Sequence, residues 1–300
     1  MSDLNGVFNV YKEAGWTSFD VVAKMRGLCH IKKIGHTGTL DPAATGVLPV
    51  CVGKATKIVS LLADDTKTYR AGLRFGLRSD TQDMTGQPER TASEEEVAAI
   101  TPEQLQRTAG SFVGGYDQIP PMYSAKHYEG RRLYELAREG QEVERRPVRV
   151  IIDELEAEMT GDGEAEIIVT CGKGTYIRTL IADIGEKLGV GAVMTSLCRT
   201  RVGRFDIADA LPISRLQELA DAGQLGEAIL PVDQVFADLP AVTVGIRYER
   251  MALNGNPLPI EAVSPSAEGE AVRLYTADTF VGLFRRGGID GLWRPDKMFV

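Results

Sequence analysis

The chain is 300 residues long, 43% hydrophobic and 25% charged, with a formal net charge of -8. That length exceeds one average domain, and the composition is that of an ordinary globular protein, which excludes a fibrous or disordered chain. An acidic total also excludes a protein that coats nucleic acid through bulk attraction, although it leaves room for selective contact through local basic patches.

Charge is in fact unevenly placed. Residues 21–63 carry six Lys/Arg and a single acid, Asp41, and residues 172–204 are basic as well, whereas 205–300 hold 14 Asp/Glu against eight Lys/Arg. The opening MSDLNGVFNVYKEAGW has no basic stretch followed by an apolar core, and no apolar run is long enough to span a bilayer, so a cytoplasmic protein without a membrane partner is expected. Cys29, Cys51, Cys171 and Cys198 are scattered and fit neither a CxxC metal pattern nor a small disulfide scaffold; reduced, buried thiols are expected.

In chain order, GVFNVYK (6–12) alternates like a strand, and TSFDVVAKMRGLC offers Thr17 or Ser18 as the N-cap of a helix. VLPVCVG reads as a short buried strand, ATKIVSLLAD as a helix, and KTYRAGLRFG as a cleanly alternating strand with Tyr69, Ala71, Leu73 and Phe75 on one face. Helices are expected from about Ser93 and from Thr101-Pro102, where proline suits a first turn. The segment 116–150, rich in Pro, Tyr and Arg, reads as an excursion with one helix near Leu133 to Arg138. Strands near 148–159 and 165–171, a helix over 176–188 and a strand around 199–207 follow. Beyond LPVDQVFADLP the pattern turns short and strand-like, which places a boundary near Ala237 and a small β-rich module over 238–300.

Several chemistries are absent from the pattern. A phosphate-cradling GxxxxGK[ST] would need glycine at 48 and Ser or Thr at 55, where Leu48 and Ala55 stand. His30, His36 and His127 do not combine with acids or cysteines at metal-ligand spacing, so no metal is implied, and no GxSxG elbow occurs. Asp41 in GHTGTLDPAATG can be read as the N-cap of a helix starting at Pro42, or as a nucleophile or base in a glycine-lined, cationic site. In CGKGTYIRTLIADIGEKLG the apolar spacing starts a helix near Thr175 or Tyr176, which puts Arg178 in the first turn, against the helix dipole. Arg178 either reaches solvent or meets a carboxylate, and Asp41 lacks a partner nearby. Tyr69 and Tyr176 are core or surface tyrosines, or platforms for a base.

The motifs GHTGTLDPAATGVLPVCVGKATK, KTYRAGLRFG, QIPPMYSAKHYEGRRLYELAREG and CGKGTYIRTLIADIGEKLG, in that order, resemble the bacterial tRNA pseudouridine synthases of the TruB type, and the likeness covers nearly the whole chain. LNGNPLP through DGLWRPDKMFV resembles, more loosely, the C-terminal PUA domain of the same family. The resemblance implies an α/β (α+β) pseudouridine synthase fold, a mixed and largely antiparallel sheet flanked by helices over 1–237, followed by a small PUA-like RNA-binding domain over 238–300. It also implies isomerisation of the uridine conventionally numbered 55 in the tRNA T loop, without cofactor or metal, the base being flipped out, detached from C1′, rotated and rejoined through C5. Asp41 aligns with the catalytic aspartate, Tyr69 with the tyrosine that stacks on the base, and Arg178 with the arginine that pairs the aspartate. Tyr176, Leu197, Lys12 and His36 match further pocket and substrate positions, Arg199, Arg201 and Arg204 are expected at phosphates, and 116–150 matches the segment that folds over the T arm. Ala43, where a larger aliphatic is common, and Lys126, in place of an apolar residue, depart from the family pattern. The partner implied is the tRNA T stem-loop, bound by a monomer. The alternative from another class is a non-catalytic tRNA-binding or folding factor on the same scaffold, and the guide-RNA relatives are a nearer rival that the continuous T-arm segment disfavours.

Overall fold

The computed structural model describes residues 4–124, 126–266, 269–277, 279–288 and 291–300. Among them an 11-stranded sheet runs in the order Leu211–Pro212, Gly6–Lys12, Thr45–Val52, Ala192–Val202, Lys67–Phe75, Glu164–Cys171, Val148–Gly161, Gly114–Gln118, with three short strands paired at its flanks. Pairing is antiparallel except at two places, where Ala192–Val202 meets Thr45–Val52 and where Gly6–Lys12 meets Leu211–Pro212. The mixed, mostly antiparallel sheet expected from the sequence is therefore present.

Strand alternation sets the core. In Lys67–Phe75 the residues Lys67, Tyr69, Ala71, Leu73 and Phe75 are buried, and the intervening ones are not. The helix Ile177–Leu188 covers this face through Leu180, Ile181 and Ile184, which pack with Ala71, Leu73, Ile167 and Val169. A second helix, Ser18–Cys29, covers the other half of the sheet through Val21, Val22 and Met25 against Phe8, Val10, Leu48 and Val50. Its start is fixed by a capping box in which Thr17 and Asp20 satisfy each other's backbone N–H groups.

Residues 119–147 leave the sheet as a hairpin, His127–Tyr128 with Arg131–Arg132, and the helix Leu133–Arg138, held by a small cluster of Met122, Leu133 and Leu136. A separate five-stranded sheet, with Val242, Val272, Leu274, Phe284 and Trp293 inside, follows from Ala241 onward. It docks on the large sheet: Leu283 and Phe299 join a cluster with Val7, Val47 and Ile58, and Lys57 Nζ donates to the Met298 carbonyl at 2.6 Å.

Two expectations need correction. The run 199–207 is the end of a longer strand, Ala192–Val202, whose start the glycine-rich approach at 189–191 conceals, followed by a turn and a short strand, Phe205–Asp206, that pairs back on it. ATKIVSLLAD is a 3-10 turn over Gly53–Ile58 that continues as only one short helix, Val59–Ala63.

Candidate active site

No helix begins at Pro42. Residues 41–44 form a tight turn closed by the Ala44 N–H to the Asp41 carbonyl at 3.0 Å, and the strand Thr45–Val52 starts directly after it. The cap reading of Asp41 therefore fails, for a tertiary reason. Gly46, at φ +107, lies so close to the neighbouring strand that a Cβ would stand 2.2 Å from the Arg199 carbonyl oxygen, which forces the chain straight into the sheet.

The Asp41 turn is held at both ends and at its tip. Arg199 donates from Nε to the Val47 carbonyl at 2.7 Å and from Nη2 to the Gly38 carbonyl at 3.1 Å, bridging the two stems. Ser18 Oγ accepts from the Leu40 N–H at 2.9 Å. The Pro42 carbonyl accepts from the Gly15 N–H at 2.9 Å and from Lys12 Nζ at 3.2 Å. Lys12 is fully buried and its ammonium also donates to the Glu13 and Trp16 carbonyls. Burial pulls its pKa down to about 8, an effect Asp41 opposes and Arg199 reinforces. Lys12 is thus placed beneath the turn rather than on the wall of the cleft, where a substrate contact would need it.

Asp41 and Arg178, 137 positions apart in the chain, meet: Arg178 Nε lies 3.1 Å from Asp41 Oδ2. Arg178 does not reach solvent. Its side chain is 7% exposed, against 43% for Asp41, and its other nitrogens donate to the Thr81 and Tyr123 carbonyls, each at 3.0 Å. A second carboxylate, Asp83 Oδ2, stands 3.9 Å from the same Nε. Asp83 is fixed by the Thr81 hydroxyl at 2.7 Å and the Thr85 N–H at 2.9 Å. One guanidinium thus ties the Asp41 turn, the 79–87 connection and the 119–147 excursion to the first turn of the helix Ile177–Leu188. That set of partners offsets the unfavourable dipole position.

Asp41 and Arg178 line a cleft of about 300 Å³ together with Tyr69, Tyr176 and Leu197, so five of the seven predicted site residues share one cavity. Lys67, Arg199, Thr37 and Ser124 complete its floor and rim. His36 stands just outside, half-buried, with Nδ1 accepting from the Gly38 N–H at 3.2 Å; burial, reinforced by Arg199, lowers its pKa, which favours the neutral ring. Burial raises the pKa of the Tyr69 phenol, against the pull of the Arg199 guanidinium at its hydroxyl. Of the arginines expected at phosphates, Arg199 is 1% exposed and sits inside the cleft floor, and Arg204 donates to the Gln234 and Val235 carbonyls. Arg201 and Arg204 are both exposed, but only Arg201 has no carbonyl partner among the described residues. Among the described residues no group of three or more His, Cys, Asp or Glu side chains converges as a metal site, and no helix is long and apolar enough to cross a membrane.

Tyr176 is oriented through its backbone. Its N–H donates to Gln118 Oε1 at 2.8 Å, and Gln118 Nε2 donates back to its carbonyl at 3.1 Å and to the Tyr116 hydroxyl. The Tyr116 hydroxyl in turn bonds to Asp183, on the helix that carries Arg178. Burial pushes Asp183 up to about 6, the charge of Glu186 adds to the rise, and the Tyr116 hydrogen bond opposes it. With a folded pKa above the unfolded value of about 3.9, the folded state binds the extra proton, so stability falls as pH rises from about 4 through 6. Asp183→Asn is therefore expected to raise the melting temperature at pH 8 by about 2 to 4 °C, after allowance for partial solvent screening, and to leave it unchanged at pH 4. Thermal melts at the two pH values check this; an equal gain at both would mean that ionisation of Asp183 is not the cause.

Asp83, Lys67 and Gln118 escaped the sequence reading. Lys67 alone left a usable signal, being a cation two residues before Tyr69 on an otherwise apolar strand face.

Residues 26–177 match a family model described as TruB family pseudouridylate synthase (N terminal domain), and residues 178–237 match one described as tRNA pseudouridylate synthase B C-terminal domain. A tRNA pseudouridine synthase B from Clostridium perfringens (strain 13 / Type A) is 45% identical over 288 residues, covering 94% of this chain and 95% of its own. One from Ralstonia nicotianae is 42% identical over 303 residues, covering 99% and 94%. Among solved structures, a chain of a Cbf5-Nop10-Gar1 complex matches with a TM-score of 0.71 at 26% identity, covering 98% of this chain and 85% of that one. A chain of an H/ACA RNP bound to a substrate RNA containing 2′-deoxyuridine matches with a TM-score of 0.69 at 25% identity and the same coverage.

Proposed function

Because the chain belongs to the TruB family of pseudouridylate synthases, we propose that it forms pseudouridine in tRNA at the uridine conventionally numbered 55, in the T loop, acting as a monomer in the cytoplasm. The observation that carries this reading is the Asp41 carboxylate held at 3.1 Å by a buried Arg178 on the wall of a cleft that Tyr69 and Leu197 also line.

A uridine in a folded T loop must leave its stack before a side chain reaches its glycosidic bond, at a cost of a few kcal/mol, and stacking on Tyr69 offsets part of it. Asp41 is half-exposed, as a group that meets an entering nucleotide must be, while the turn that carries it is fixed at Gly38, Leu40, Pro42 and Val47. That combination places one carboxylate oxygen accurately, which is what attack on the base or sugar, or removal of a sugar proton, requires. Leu197 keeps water from the activated sugar. Tyr176 narrows the opposite wall, and Lys12, from beneath, holds the turn. His36 is positioned at the edge to fill space left by displaced loop bases.

The excursion at 116–150 presents exposed Lys126, His127, Arg131 and Arg132 for the phosphates of the T arm. We assign 1–237 to catalysis and 238–300 to a PUA-like RNA contact. The test is incubation of unmodified T-arm RNA with the protein, followed by carbodiimide-dependent primer extension. A stop at the T-loop uridine is expected. RNA binding without a stop would return the chain to the role of a folding factor.

A further inference from the structure

Four cations are buried around the cleft, and two of them are accounted for: Lys12 by three carbonyls outside it, and Arg178 by Asp41. Lys67 and Arg199 are different. Lys67 is 7% exposed and, among the described residues, donates only to the Ala63 and Asp65 carbonyls, at 2.9 and 2.6 Å. Arg199 donates to two carbonyls and touches the Tyr69 hydroxyl, and among the described residues neither cation has a carboxylate within ion-pair distance. They lie side by side at Gly38: a Cβ there would stand 3.4 Å from Arg199 Nη1 and 3.7 Å from Lys67 Cε. Burial chiefly, and Arg199 next, lower the Lys67 pKa, while the charges of Asp65, Cys171 and Asp64 oppose the fall. Such an arrangement is costly unless an anion or a set of oxygen acceptors completes it.

A second observation in the same cleft also points to a ligand. Thr37 Oγ1 and Ser124 Oγ are buried without a hydrogen-bond partner, although both residues line the cavity. A buried polar atom left unpaired in a cleft calls for a partner, which a bound molecule or an ordered water supplies. At 7% and 1% exposure, Lys67 and Arg199 lie at a depth suited to an extruded base rather than to the phosphates of the RNA surface.

Resting on the isomerisation above, we propose that Lys67 and Arg199 hold the uracil ring while it is detached from ribose, donating to its carbonyl oxygens with the Thr37 hydroxyl beside them. When the N1–C1′ bond breaks, its electron pair leaves with the base and spreads from N1 onto O2 and O4. The electron deficiency at C1′ is quenched on the sugar side, either by a bond to Asp41 or by loss of the C2′ proton to Asp41. After rotation, C5 supplies the electron pair of the new bond to C1′, Asp41 is released or returns its proton, and the C5 hydrogen leaves as a proton while N1 gains one. Negative charge thus sits on the free ring only between the two bonds, and fixed cations at its oxygens stabilise that stage more than the bound uridine.

The test compares uridine with 5-fluorouridine at the target position of otherwise identical T-arm RNA. Fluorine at C5 stabilises the detached anion intrinsically and blocks only the final proton loss, so its detachment depends less on the cations. Rates are measured in single turnover at saturating enzyme, as loss of the starting nucleoside after nuclease digestion. Lys67→Met is expected to slow uridine by about 10²-fold and 5-fluorouridine by clearly less, with Lys67→Arg restoring much of the uridine rate. Arg199→Met, checked by circular dichroism because Arg199 also clamps the turn, is expected to show the same inequality. Equal slowing of both substrates, or no slowing, in Lys67→Met overturns the assignment. Wild-type protein that leaves uridine intact overturns the proposed isomerisation instead, so the two failures are distinguishable.

Discussion

Asp41→Asn is expected to reduce pseudouridine formation by roughly 10⁴-fold or more, the scale seen when a residue that takes part in bond making is removed. The substitution keeps the volume and one oxygen of the side chain, and Asp41 is half-exposed, so neither packing nor the turn at 41–44 changes. Melting temperature is expected to fall modestly, because buried Arg178 loses one carboxylate but keeps Asp83 and two carbonyls, and affinity for T-arm RNA to stay close to wild type. The check is the primer-extension stop at the T-loop uridine alongside a binding isotherm. A mutant with full stops would remove Asp41 from the chemistry, and a mutant that loses binding as well would make it a structural residue.

Arg178→Met is the second change with a large expected effect, and it differs in kind because it acts on rate and fold together. The rate is expected to fall about 10²- to 10³-fold, as when one preorganised charged donor is removed. Stability falls as well, since the buried carbonyls of Thr81 and Tyr123 lose their donor, at about 1 to 3 kcal/mol for each group left unpaired. Arg178→Lys is not expected to rescue, because one ammonium cannot reach Asp41 and two carbonyls in different directions as the planar guanidinium does. Single-turnover rates and thermal melts on both variants check this; a lysine variant with wild-type rate and stability would show that charge alone is required.

These two residues also mark how far the sequence carries. The helix bearing Arg178 was legible because Ile177, Leu180, Ile181 and Ile184 repeat at helical spacing, and the strand bearing Tyr69 because its buried residues alternate strictly. The conformation at Asp41 was not. Asp-Pro-Ala-Ala has every local mark of a helix start, and what prevents the helix is Gly46 pressed against the Arg199 backbone from a distant strand. Arg199 itself was expected at phosphates, because its partner carbonyl at Val47 lies 152 residues earlier. Asp83 sits in a polar connection that looks like any exposed loop until the Thr81 carbonyl beside it is seen to accept from Arg178, 97 residues on. Elements came from patterns within a dozen residues; the electrostatic partners came from topology, which no local window contains.

The strand Gly6–Lys12 lies inside the sheet and is made long before the residues that complete its flank at Leu211–Pro212 and Ile229–Leu230. Asn9 bonds across a separation of 197 residues to the Asp206 carbonyl. At ribosomal rates of about 5 to 20 residues per second, this strand waits on the order of 10 to 40 s for its last neighbours. Its end residue, Lys12, supports the Asp41 turn and Arg199 clamps the same turn, so the cleft is complete only after residues from both ends of this span have emerged. Synthesis therefore imposes an order in which the first-made residues of the cleft wait for partners made much later.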